Sequence, residues 1–236
     1  MFKKRSYETE VMDDLQLGGN LMTQTLHELD FINRWLGGNI VTITGIKQLL
    51  SNYATQPDKP INIADLGCGS GDLMKIMVHW ARKKDLMVKI TGIDANDFII
   101  NHARNNSSQY GEISYENLNV FAGNFQNLQY DIITCTLFCH HFTDDELIIL
   151  FKSWKQQAQI GIVVNDLHRH WVAYHAIKWL TQWFSKSSMV KNDAKLSVAR
   201  AFLRKELESV LAQAGITDYT ISWHWAFRWK IVINTK

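Results

Sequence analysis

The stretch Asp65-Leu66-Gly67-Cys68-Gly69-Ser70-Gly71-Asp72 constrains this chain more than any other. It follows the short apolar run at 61–66 and precedes a segment with apolar residues at Leu73, Met77 and Trp80, the spacing of a helix. A glycine-rich turn between a strand and a helix lets a ligand approach the backbone and the helix N-terminus closely. The dinucleotide pattern G-x-G-x-x-G would need a glycine at 72, where this chain has Asp72. A second acid, Asp94, ends the strand-patterned run 87–94, 23 residues beyond Gly71. An acid at that place can hold both hydroxyls of a ribose. Asp94 alone would pass for a helix cap; in register with Asp65 and three glycines it reads as a ligand-binding carboxylate.

The rest of the chain alternates in the same way. Strand patterns at 61–66, 87–94, 113–123, 130–138 and 160–167 are separated by helix patterns of about 12–15 residues, which implies a parallel sheet with helices on both faces. Thr143 with Glu146 predicts a capping box at the start of one such helix. A helix near 200–214, stopped by Gly215, leads into two β-patterned runs that read as an antiparallel hairpin. Pro57 and Pro60 separate a helix-patterned N-terminal arm, 1–56, from the domain at 57–236.

With these motifs in place, the chain resembles the class I S-adenosylmethionine (SAM)-dependent methyltransferases. "IADLGCGSGD" resembles their first motif, "ITGIDAN" their second, "AGNF" the segment beside the adenine, and "YDIITCTLFCHHFTDDEL" the fourth strand and its turn. The resemblance implies a Rossmann-like seven-stranded, mostly parallel sheet with an antiparallel last strand, a helical N-terminal arm and a helical cap. It implies SAM as cofactor, S-adenosylhomocysteine (SAH) as product, and Asp65, Gly67, Cys68, Gly69, Gly71, Asp94, Ala95, Asn124, Phe125 and Thr136 as its neighbours. The family commonly has Asp at the adenine position where this chain has Asn124, whose amide carbonyl can still accept a hydrogen bond. Arg34, in the arm, is a candidate partner for the cofactor's carboxylate. More narrowly, the chain is similar to bacterial small-molecule methyltransferases of the ubiquinone- and menaquinone-biosynthesis type.

Composition narrows the class. A net charge of +2 in 236 residues argues against nucleic acid as substrate. The segment Thr136-Leu-Phe-Cys139 lacks the Asn/Asp-Pro-Pro-aromatic pattern of enzymes that methylate exocyclic base nitrogens. Neither Cys135 nor Cys139 follows a proline, as a cytosine-C5 nucleophile would. Three sparse cysteines, a charged start and no apolar run of about 18 residues together suggest a cytoplasmic chain.

The acceptor side is read from histidines and aromatics. His141, after the fourth strand, and His168, after the fifth, are the candidate bases, since ligands in open α/β sheets sit beyond strand ends. The segment 168–199, with Trp171, Tyr174, Trp179 and Trp183 beside Ala173, Ile177 and Leu180, reads as a lid over the acceptor. Its sparse cations Arg169, Lys178 and Lys186 lend weak support to membrane-surface contact. Arg200 or Arg204 could orient an anionic substrate. No metal is expected: His168-Arg-His170 lacks the i, i+4 spacing of a helical site, and although His141, His168 and Asp166 could meet in space, the acidic ligand pattern of the metal-using catechol and quinol methyltransferases is absent. The expected reaction is O-methylation of a small phenolic or quinol-like acceptor. Carbon methylation and a non-catalytic SAM-binding partner subunit stay open, and the sequence sets no oligomeric state.

Overall fold

A computed structural model describes residues 2–51, 53 and 59–235, so the boundary at Pro57 lies outside the described residues. Seven strands are present: β1 (Ile61–Leu66), β2 (Val88–Asp94), β3 (Ile113–Asn117), β4 (Tyr130–Thr136), β5 (Ala158–Leu167), β6 (Tyr219–His224) and β7 (Arg228–Asn234). They form one sheet in the order β3-β2-β1-β4-β5-β7-β6. The first five run parallel, and β7 lies antiparallel to both β5 and β6. The strand order reverses between β1 and β4, the switch point at which ligands enter such sheets. Register pairs Leu66 with Ile93 on one side and with Cys135 on the other. Gly67, Asp94 and Thr136 therefore come side by side at one edge of the sheet.

Among the described residues, nine helices cover the sheet and its carboxyl edge: α1 (Gly19–Trp35), α2 (Gly38–Ser51), α3 (Asp72–Arg82), α4 (Asp97–Asn106), α5 (Gly123–Gln126), α6 (Asp144–Gln157), α7 (Trp171–Phe184), α8 (Ser188–Arg200) and α9 (Arg204–Gln213). One core layer joins Ile46, Leu49, Met74, Met77 and Ile100 to Ile63, Ile90 and Val163. The other joins Phe125, Phe151, Trp154, Leu207 and Leu211 to Ala64, Ile133 and Ile162. Alternate residues of each strand serve opposite layers, which is why these strands are apolar throughout.

Local signals hold where they were strongest. Thr143 Oγ1 accepts from the Glu146 amide at 3.3 Å while Glu146 Oε2 accepts from the Thr143 amide at 2.8 Å, the reciprocal box at the start of α6. Two expectations change. β3 stops at Asn117 rather than 123: the Leu118 amide makes the last ladder bond, to the Asp94 carbonyl, and the chain then turns, the Asn119 carbonyl accepting from the Ala122 amide at 2.9 Å. And α2 belongs to the sheet's own helical layer rather than to a peripheral arm. A Cβ on its Gly45 would lie 2.4 Å from Val163 Cγ1, so the glycine lets α2 settle onto β5. No helix among the described residues is long and apolar enough to cross a membrane.

Candidate active site

The loop after β1 is shaped for a ligand. Gly67, Gly69 and Gly71 have φ of 65°, 52° and 77°, the left-handed region that side chains disfavour. A Cβ on Gly69 would meet only Leu26 Cδ2, at 4.0 Å, so this glycine faces open space. Asp94 stands beside it, its Oδ1 accepting from the Asn96 amide at 3.0 Å. Burial raises its carboxyl, opposed by the amides of Asn96, Gly69 and Ala95. An open cradle of backbone amides beside a carboxylate fits the amino-acid and ribose parts of SAM.

At the carboxyl ends of β4 and β5 lies a cavity of about 360 Å³. Its wall is apolar: Leu29 and Ile32 from α1, and Ala173, Ala176, Ile177 and Leu180 from α7. Glu10, His140, His141, His168, Asp193 and Arg228 also line it. His141 and His140 occupy the 3-10 turn after β4, with Nδ1 atoms 2.5 Å from Asp13 Oδ1 and 2.7 Å from Asp166 Oδ1. A neutral imidazole that donates from Nδ1 keeps its lone pair on Nε2. His168 is arranged the other way: Trp223 Nε1 donates to its Nδ1 at 3.3 Å, which puts its proton on Nε2. Burial also lowers the His168 pKa, holding it neutral.

The N-terminal segment completes this corner. Arg5 donates to Asp144, to the Phe142 carbonyl at 2.9 Å and to the Arg200 carbonyl at 2.9 Å, and stacks on the Phe202 ring. Five residues on, Glu10 is buried with Oε2 accepting from Ser197 Oγ at 2.9 Å. Burial pushes its carboxyl up to about 7.

A family profile described as a methyltransferase domain matches residues 57–215. The chain belongs to that methyltransferase family. Its sheet order is that of the class I, SAM-dependent enzymes, and SAM is the cofactor of this class. Solved structures agree on the fold. The plantazolicin methyltransferase BpumL, solved with a triazolic desmethylPZN analog and SAH, superposes with a TM-score of 0.64 at 14% identity, over 91% of this chain and 90% of that one. Human N-acetylserotonin methyltransferase with SAM gives 0.61 at 15%, over 97% and 63%. The CurJ carbon methyltransferase gives 0.62 at 14%, over 84% and 54%. The chain spans about half the length of several of the structures it matches. No curated protein sequence matches it.

Within this methyltransferase the expected cofactor residues separate into two groups. Gly67, Gly69, Gly71, Asp94 and Ala95 share the edge of the sheet at the loop. Asp65 lies beneath it, buried, with Thr134 Oγ1 donating to its Oδ1 at 2.7 Å; burial pushes its carboxyl up to about 7. The Cys68 thiol faces the core, and burial raises its pKa well above the usual thiol range. Phe125 is fully buried in the opposite layer, so its ring offers no face to an adenine, while Asn124 is exposed and caps the Phe125 amide at 3.0 Å. Thr136 Oγ1 is bonded to Thr42 Oγ1 of α2 at 2.7 Å. Arg34 is exposed and absent from the cavity wall, which instead takes Asn33 and Trp35 from either side of it.

Three readings of the lid are corrected. α7 turns Ala173, Ala176, Ile177 and Leu180 to the cavity, while Trp171, Trp179 and Trp183 stand exposed on its other side. Arg169 is not a surface cation: it is buried and forks onto both carboxylate oxygens of Glu206 at 2.9 and 2.5 Å. Arg200 is buried too, spent on Asp13 and on the carbonyls of Glu8, His140 and His141, and Arg204 pairs with Glu208. The residues that sequence reasoning missed are Glu10, Asp13 and Arg228. Arg228 is buried at the start of β7, donates to Asn33 Oδ1 at 2.8 Å, and leaves its Nε without a partner. A lone arginine opening an apolar strand was its one visible signal.

Proposed function

We propose that this enzyme methylates a hydroxyl oxygen of a small, largely apolar acceptor of the phenol or quinol class, held in the cavity beneath α7. The observation that carries this reading is the division of the cavity into an apolar wall and one corner of histidines and carboxylates. Its volume, about 360 Å³, lies at the small end of the range for small-molecule sites. SAM, when bound, supplies a methyl group on a positive sulfonium. The chain has two tasks left. The apolar wall fixes the acceptor's orientation and excludes water, and orientation of this kind is worth several kcal/mol. The corner accepts the hydroxyl proton: His141 presents the Nε2 lone pair, its Nδ1–H held by Asp13. A base so placed adds about 10²–10⁴-fold. His168, with its proton on Nε2, is suited to donate a hydrogen bond to the acceptor rather than to deprotonate it.

The test is a panel of phenols and quinols with methyl-labelled SAM, run on wild type and Ala176→Trp. The larger side chain fills the acceptor space from α7, away from the glycine loop. Wild type should yield methoxy products, and the variant should lose turnover while binding SAM normally. Label on ring carbon would move the reaction to carbon. A variant as fast as wild type would sink the cavity reading.

A further inference from the structure

The polar corner has more acceptors than donors. In the tautomer that donates Nδ1–H to Asp166 at 2.7 Å and to Asp13 at 2.5 Å, His140 and His141 each carry a lone pair on Nε2. The third member is Glu10 Oε1, which is buried and has no hydrogen-bond partner. The nearest side-chain nitrogens of a base are His140 Nε2 at 3.6 Å and Arg200 Nε at 3.8 Å, both too far for a hydrogen bond. One ring nitrogen from each histidine and one carboxylate oxygen of Glu10 lie within 4.8 Å of one another. Glu10 Oε1 is thus a buried oxygen without a partner beside two imidazoles, and such an atom is costly unless a proton or a cation joins it to them.

We propose that Glu10, His140 and His141 form a binding site for a divalent first-row transition-metal ion. Two imidazoles and one carboxylate are the donor set that such ions prefer over magnesium or calcium. The outer partners match as well. In metal sites a ligating histidine donates its other nitrogen to a carboxylate, which fixes ring and tautomer. Here both histidines do so, through Asp166 and Asp13. Arg200 and Arg5 hold the backbone carbonyls of the same turn, so the ligands are placed before an ion arrives. All three ligands border the cavity, which leaves coordination positions open on that side, the arrangement of catalytic rather than structural sites. An acceptor oxygen or a water completes the shell there, and with an ion bound His141 Nε2 would be a ligand, so the ion rather than His141 would lower the hydroxyl's pKa. That last role rests on the reading of the cavity as the acceptor site; metal binding itself does not. The expectation that no metal binds weighed His168 with His170, and His141 with His168 near Asp166, whereas this set draws its carboxylate from Glu10, 130 residues before His140.

The test uses full-length protein freed of metal with a chelator and titrated with Co²⁺, Zn²⁺ and Mn²⁺. Calorimetry measures binding, and the visible absorption of bound Co²⁺ reports nitrogen and oxygen ligands. SAM affinity is measured in parallel on every sample. One ion per chain is expected, with Glu10→Gln and His141→Gln each weakening it by more than about tenfold. His168→Gln, a change to a histidine on the same cavity but outside the set, should leave ion binding intact. Wild type that takes up none of the three ions, or binding insensitive to both ligand changes in chains that still bind SAM, overturns the proposal. Failure to bind SAM in wild type would count against the methyltransferase reading instead.

Discussion

Gly69→Ala separates cofactor binding from folding. The φ of 52° at Gly69 costs an alanine about 1–2 kcal/mol. No steric term adds to it, since the new Cβ would meet only Leu26 Cδ2 at 4.0 Å. For a chain of 236 residues each kcal/mol lowers the melting temperature by about 2–4 °C. Gly71→Ala carries similar strain at φ 77°, but its Cβ would lie 2.0 Å from Tyr115 Oη, which is bonded to Ser107 Oγ at 2.8 Å. Overpacking there adds about 1–3 kcal/mol. Gly69→Ala should therefore melt a few degrees below wild type and Gly71→Ala clearly lower. The open space that spares Gly69→Ala in the free protein is the space the cofactor needs. SAM affinity should fall by more than about tenfold, or about 1.4 kcal/mol. Differential scanning fluorimetry with calorimetric SAM titration reads both quantities. Gly69→Ala binding SAM as tightly as wild type, or melting as low as Gly71→Ala, would refute the reasoning.

Asp65 makes stability depend on pH. Burial pushes its carboxyl from 3.8 up to about 7, so between those values the folded chain holds a proton that the unfolded chain has lost. Its contribution is full below the unfolded value and is lost as pH rises through about 7. Urea melts from pH 5 to 8 should show Asp65→Asn declining less steeply than wild type; equal slopes would disprove the assignment. Thr143→Ala removes one arm of the α6 capping box and should cost about 0.5–2 kcal/mol without changing SAM affinity. A change in affinity would mean that the turn carrying His140 and His141 depends on that cap.

What the sequence determined by itself was whatever neighbouring residues decide. The glycine loop, the acid closing β2, the alternation of strands and helices, the Thr143 box and the C-terminal hairpin all rest on contacts within a few residues or on period, and the structure returns them at or near their expected places. Tertiary structure decided which face each amphipathic segment turns inward. α7 is apolar on both sides, so its period could not reveal that Ala173, Ala176, Ile177 and Leu180 would meet the cavity while three tryptophans met solvent. It decided the histidines as well. His140 and His141 were visible as a pair, but the carboxylates that engage their Nδ1 atoms come from Asp166 and Asp13, and the unpartnered oxygen beside them comes from Glu10, on a segment that Arg200 ties down through the Glu8 carbonyl. A side chain's chemistry depends on the charges and donors within a few ångströms of it. In this chain those come from positions 10, 13, 166 and 200, and only folding brings them together.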